Sequence, residues 1–176
     1  MAFWFSEKPN VDIHIEKLEN KFRGRLWSLR HLKRSGMSSS DLLGIYCMII
    51  RPVLDFAAVS YHSMLSVDQT VRLERLQMRA LKVIYGISFS YNQLLEKSDI
   101  VKLSDRRQSM FVKFALKNSL NSRISEKWFP TNPESGHHTR APLKYKEFPA
   151  RTERMLNSPL FQLRKRLNQH DRSDTS

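Results

Sequence analysis

Acidic residues are scarce in this sequence: 17 Asp and Glu stand against 30 Lys and Arg, leaving a formal net charge of +13 over 176 residues. That deficit makes phosphate backbones or anionic surfaces the natural partners; ribosomal and histone-like chains share it, so it fixes a class and not an identity. A single cysteine, Cys47, excludes an internal disulfide framework and a cysteine-based zinc ribbon, and suits a reducing compartment. Five glycines, scattered singly, exclude a glycine-rich phosphate loop. No Asp-Asp pair occurs, so the paired metal-holding carboxylates of a polymerase are missing. The longest apolar run, Leu42 to Ile50, contains Gly44 and stops at Arg51, short of the roughly eighteen residues that span a bilayer. The opening Met-Ala-Phe-Trp-Phe is too short for a signal-peptide core and has no basic residues before it. An intracellular protein, nuclear or cytoplasmic, with no membrane partner is therefore expected.

What remains is ample for a helical core. Hydrophobic residues make up 40% of the chain, and Leu, Arg, Lys, Gln and Met outweigh Val and Thr, which favours helix over strand. From Asp12 to Arg34, Ile15, Leu18, Phe22, Leu26 and Leu29 recur at steps of three and four, with Lys17, Lys21, Arg23, Arg25 and Arg30 between them. This is an amphipathic helix, stopped at Ser35-Gly36. Ser38 to Ser40 with Asp41 cap a second helix through Ile50, apolar nearly all round and so expected to be central. Pro52 then marks a kink or the first position of a new segment. Ser66 with Gln69 forms a capping box for the clearest helix, ending at Gly86. A short helix is expected from Tyr91 to Lys97. Another follows, capped by Ser104, with Met110, Phe111, Phe114 and Ala115 as its buried stripe. The expected architecture is mainly α, an irregular helical bundle of about five to six helices. Phe3 to Ser6 is expected as a short strand within an N-terminal 1–10 segment. The helical domain covers 11–130, an extended linker 131–150, a basic helix begun by Ser158-Pro159 covers 151–169, and a disordered tail 170–176. The linker and tail make a mobile C-terminal extension.

Three basic sets are candidates for nucleic-acid contact. On the helix after Ser66, Arg72, Arg75, Arg79 and Lys82 fall within roughly 80° beside the apolar face of Leu73, Leu76, Ala80 and Ile84. Such a row either tracks a phosphate backbone or is a solvated face partly neutralised by Asp68 and Glu74. Arg106, Arg107 and Lys113 form the second set, with Lys117 on the same helix, and Arg164, Lys165 and Arg166 the third. Trp27, Tyr61 and Tyr85 are possible base-stacking aromatics, although aromatics at helical spacing usually belong to a core. Cys47 beside apolar neighbours reads as a buried thiol and not as a nucleophile paired with His62. His137 and His138, without a nearby cysteine, make no metal site. No catalytic residue, metal, cofactor or small-molecule substrate is expected.

Three runs carry a more specific signal: Leu26 to Leu43 (LWSLRHLKRSGMSSSDLL), Arg51 to His62 (RPVLDFAAVSYH) and Leu73 to Gly86 (LERLQMRALKVIYG). In this order and spacing they resemble the region downstream of the polymerase palm in non-LTR (LINE-like) retrotransposon reverse transcriptases. Tyr91 to Leu95, Arg106-Arg107, Phe111 to Asn118, Trp128-Phe129-Pro130 and Arg151 to Gln169 extend the resemblance over nearly the whole chain, and Phe3 to Ser6 is similar to the last palm strand. The resemblance implies a thumb-like helical region that grips an RNA or RNA–DNA template-primer duplex, with the upstream palm as its other partner. The family performs RNA-directed DNA synthesis with palm aspartates that match no position here. The chain is therefore expected to be a fragment without catalysis of its own, or else a relic or co-opted protein-interaction module.

Overall fold

The computed structural model describes residues 11–120, 122–132, 143–147 and 149–174; the expected strand at Phe3 to Ser6 and the core of the expected linker lie outside them. Among the described residues the elements are ten α-helical segments, a π-helical turn, a 3-10 turn and one isolated β-bridge, a mainly α fold. These segments outnumber the expected five to six helices because the apolar stretch after Ser38 is broken into short pieces and because short helices also form at Ser122–Trp128 and Glu153–Leu156. The chain forms two compact units, Met1–Ala58 with Leu65–Arg106 and Val59–Met64 with Arg107–Ser176. No change of composition marks this division, and two of its three boundaries, after Ala58 and after Arg106, fall inside helices.

In the first unit, α1 (Val11–Arg34) buries the expected stripe Ile15, Leu18, Phe22, Leu26 and Leu29. Its end is a Schellman motif: Gly36, at φ +86°, donates to the Lys33 carbonyl and Met37 to that of Leu32. Ser38 caps α2 (Ser39–Ile45) by accepting from the Asp41 N–H at 3.2 Å. Helical winding then widens into a π turn (Tyr46–Ile50) before α3 (Arg51–Asp55), which carries Pro52 in its first turn. The wide turn answers the proline: Pro52 has no N–H to donate, and its ring would crowd the carbonyl four residues back in an α-helix. Only one side of this segment is buried, through Leu42, Tyr46 and Ile50. Met48 and Ile49 are 71% and 52% exposed, so the segment is not central all round. The stretch Ser39–Met64 has the length and composition to cross a membrane, more apolar than the uninterrupted run alone indicates. It is not one continuous helix, however: Phe56 leaves helical geometry and Ala57 takes a left-handed φ of 56° before the short α4 (Ala58–Tyr61).

The remaining helices of this unit are α5 (Val67–Tyr85), α6 (Tyr91–Ser98) and the start of α7 (Leu103–Ser119). Ser66 with Gln69 and Ser90 with Gln93 form complete capping boxes for α5 and α6. At α7 the sequence reading is corrected. Ser104 is not the cap, because the helix already begins at Leu103, and the residue before it is Lys102, whose side chain cannot accept a hydrogen bond. Glu74 of α5 substitutes, accepting from Leu103 N at 3.2 Å and Ser104 N at 2.6 Å as well as from the Tyr91 hydroxyl. One turn on, buried Gln77 donates to the Val101 carbonyl and Tyr91 Oη and accepts from Tyr46 Oη. Burial raises the phenol pKa of Tyr46, and burial together with the Glu74 bond raises that of Tyr91, so both remain donors.

In the second unit, Phe111 and Ala115 of α7 meet Phe129, which follows α8 (Ser122–Trp128), and Leu163 and Leu167 of α10 (Pro159–Asp174). Met110 and Phe114 are only half-buried, on the margin of the expected stripe. The two described ends of the expected linker are tied down by an antiparallel bridge between Thr131 and Tyr145. Buried Asn168 completes it, accepting from Tyr145 N at 2.9 Å and donating to the Tyr145 carbonyl at 3.0 Å. A short helix α9 (Glu153–Leu156), capped by Thr152, precedes α10. Pro159 opens α10 as expected, but the helix continues past Gln169 to Asp174, so the 170–176 tail is helical over its described part.

Two stability predictions follow from these contacts. Glu74→Ala removes three acceptor bonds at a charged group and is expected to cost about 2–3 kcal/mol in urea unfolding, with Glu74→Gln losing less. An unchanged midpoint for Glu74→Ala would show that α7 needs no cap. His62, bonded to Gln108 at 2.7 Å, has its pKa lowered by burial and then by Arg107 and Arg166, against the raising effect of Gln108. A depressed histidine binds fewer protons folded than unfolded. Its stabilising contribution is therefore present above the unfolded value of about 6.5 and is lost as pH falls below it. The loss of stability between pH 7.5 and pH 5 is expected to be smaller in His62→Gln than in the parent chain, and equal losses would remove His62 as a cause.

Candidate nucleic-acid interface

The predicted cations divide into those that hold the fold and those that face solvent. Arg72 is in the first group. Its Nε and Nη2 donate to Glu19 Oε1 and Oε2, both at 3.1 Å, a bidentate clamp between α5 and α1. Arg106 is likewise engaged, with Nε 2.7 Å from Asp55 Oδ2. Arg107 and Arg164 require outright correction as surface cations. Arg107 is fully buried, and Arg164, 7% exposed, donates Nε to the Trp128 carbonyl at 2.6 Å. Burial lowers the Arg164 pKa, although a guanidinium stays charged in proteins. Helical spacing puts both on the same turns as Phe111 and Leu163, and the core claims those turns.

Arg75 and Arg79 are exposed and Lys82 half-buried; none has a carboxylate partner among the described residues. In the second unit Lys113, Lys165 and Arg166 are exposed, and Arg166 donates to Gln169 Oε1 at 3.2 Å. The sequence joined Arg106, Arg107 and Lys113 as one set, but the structure gives them three different environments.

The first unit also recruits cations from α1 that periodicity alone treated as filler. The two helices pack side by side and run the same way: Gln69 bonds Asp12 at 2.7 Å near their starts, and Ser39, just past α1, bonds the Ile84 carbonyl at 3.3 Å near the end of α5. The Glu19–Arg72 clamp shows which sides meet. At about 100° per residue, Arg23 and Arg30 share the side of Glu19, while Arg75 and Arg79 share the side of Arg72. Arg23, Arg30, Arg75 and Arg79 are all exposed, so two rows of guanidinium groups flank one helix seam. From Lys21 to Arg34 the sequence has no acidic residue, and this was the available signal for the α1 row. The signal was ambiguous, because cations in the last turn of a helix also complement its dipole.

Tyr61 is buried and Tyr85 half-buried with Lys97 Nζ 5.5 Å from its ring centre, whereas Trp27 is 66% exposed. Cys47 is half-buried, in the π turn. Among the described residues no three His, Cys, Asp or Glu side chains gather where they could hold a metal ion; His137 and His138 lie outside those residues. What the α1–α5 seam offers chemically is fixed positive charge on rigid helices, suited to phosphate oxygens at a spacing set by helix geometry. No family model, curated protein or solved structure matches the chain.

Proposed function

We propose that the chain is a non-catalytic nucleic-acid grip, the thumb-like helical region of a non-LTR retrotransposon reverse transcriptase, contacting an RNA or RNA–DNA duplex through its backbone. The observation that carries this reading is the paired arginine rows along the α1–α5 seam, exposed and without carboxylate partners among the described residues. The three sequence runs that resemble the family support the specific identity, and two of them overlap the end of α1, with Arg30, and most of α5, with Arg75 and Arg79. Contacts of this kind position a duplex without reading its sequence. Exposed Met48 and Ile49 support a second reading, a co-opted module whose apolar surface meets a protein. On that reading Met48→Ser with Ile49→Ser lowers the binding of a hydrophobic-surface dye and leaves the salt slope of duplex binding unchanged; an equal dye signal in parent and variant counts against it.

The test of the main reading is binding to a labelled RNA–DNA primer-template across a salt series. A log–log slope of about −3 or steeper is expected, since each neutralised phosphate contributes about −0.9. Replacing Arg23, Arg30, Arg75 and Arg79 by Gln is expected to flatten the slope by up to about 3.6, with the helical signal intact. Arg72→Gln, by contrast, is expected to lower the unfolding midpoint and leave the slope nearly unchanged. A flat slope in the parent chain rejects the grip.

A further inference from the structure

A solitary exposed tryptophan needs no explanation, but Trp27 is not solitary. His31, one turn on, lies against it with ring centres 5.5 Å apart and planes 9° from parallel, an aromatic stack built on the surface of α1. Arg23, Arg30 and Arg34 fall within roughly 60° on one flank of Trp27, and all are exposed. Side chains on a helix lean toward its N-terminus, so His31 covers the indole from the C-terminal side. By helical spacing the opposite side of the indole faces the preceding turn, which holds Arg23 and Gly24. There a Cβ on residue 24 would meet no atom within 4 Å, so neither packing nor backbone geometry demands a glycine in mid-helix. Glycine is the weakest helix former after proline, so a larger residue at 24 would favour the helix while extending into the open space on that side.

We infer that Trp27, backed by His31 and flanked by Arg23, Arg30 and Arg34, is a stacking platform for an unpaired base of single-stranded nucleic acid. The inference rests on the nucleic-acid reading above and adds to it a site for bases where that reading has only phosphates. The occupant follows from the chemistry. An open indole face takes the π face of any base, and adjacent guanidinium groups take the phosphates on either side of it. A segment from Lys21 to Arg34 without a carboxylate repels nothing in that strand. Recognition of this kind is indifferent to sequence and requires the base to be out of a duplex.

The test uses the full chain and three labelled probes in fluorescence anisotropy: a dT 12-mer, an abasic 12-mer of the same charge, and an RNA–DNA duplex. The parent chain is expected to bind dT more tightly than the abasic strand. Trp27→Ala is expected to weaken dT binding about tenfold, the loss of one stacked base, while leaving the abasic strand and the duplex unaffected. Trp27→Phe should fall between. Gly24→Leu should raise helix stability and yet weaken dT binding, opposite directions that a purely structural role would not produce. Circular dichroism confirms that each variant is folded. Equal binding of dT by the parent chain and Trp27→Ala overturns the platform, as does equal loss for all three probes. If the duplex still binds with a steep salt slope, the grip stands and only the platform fails. If the parent chain binds no probe, both are rejected.

Discussion

The N–H groups at the start of α7 need acceptors, and Val101-Lys102 ahead of the helix can supply none from a side chain. Glu74 reaches them from α5, and this one carboxylate determines how the first unit is arranged. It fixes the rotation of α5 about its own axis, because the same carboxylate also receives the Tyr91 hydroxyl while Gln77, one turn on, receives that of Tyr46. Tyr46 belongs to the π turn, Tyr91 to α6 and Val101 to the connection into α7, so a polar cluster on one side of α5 ties three segments to it. With Glu74 and Gln77 turned inward, the opposite side of α5 can carry only residues that tolerate water. Arg75 and Arg79 stand there.

Charge is apportioned by the same logic. Carboxylates are in short supply, and two of them are spent on arginines that join elements: Glu19 on Arg72 and Asp55 on Arg106. Desolvating those pairs only in part keeps the Coulombic gain from being overtaken by the cost of burial. Of the other cations, Arg107 and Arg164 are taken into the core, whereas Arg23, Arg30, Arg75 and Arg79 are exposed on helices. A surplus of this size works against the compact state through self-repulsion, and a polyanion that neutralises it relieves that repulsion as it binds.

The α1–α5 seam also shows how a phosphate-binding surface and a base-binding surface can share one helix. Arg23 and Arg30 lie between Trp27 and the Arg75–Arg79 row when α1 is viewed down its axis. A strand crossing from one row to the other would pass the indole. The geometry comes from helix periodicity and from the parallel course of α1 and α5, with no loop that would have to be ordered on binding, so little conformational entropy is lost on association.

Local signals were legible from the sequence wherever the interacting residues are neighbours in the chain. The Ser66–Gln69 box, the cap at Ser38, the Gly36 stop and the buried stripe of α1 each depend on a few consecutive residues, whose geometry a helix imposes. Ser90 with Gln93 follows the same rule. Tertiary structure decided everything that turns on which side of a helix meets another chain segment. Arg75 and Arg107 are both arginines among apolar neighbours at helical spacing, yet one is in water and the other fully buried. Pro52 announced an interruption, but its form, a π turn whose Tyr46 bonds Gln77 of α5, was not written in the neighbouring residues. The cap at Ser104 looked local and was not, because its acceptor lies thirty positions away on α5. Sequence thus determined where helices begin, end and carry apolar residues, since those properties are set by backbone hydrogen bonding over a turn. Which cations remain available for a ligand was decided only when long-range packing had assigned each one a carboxylate, a carbonyl or water.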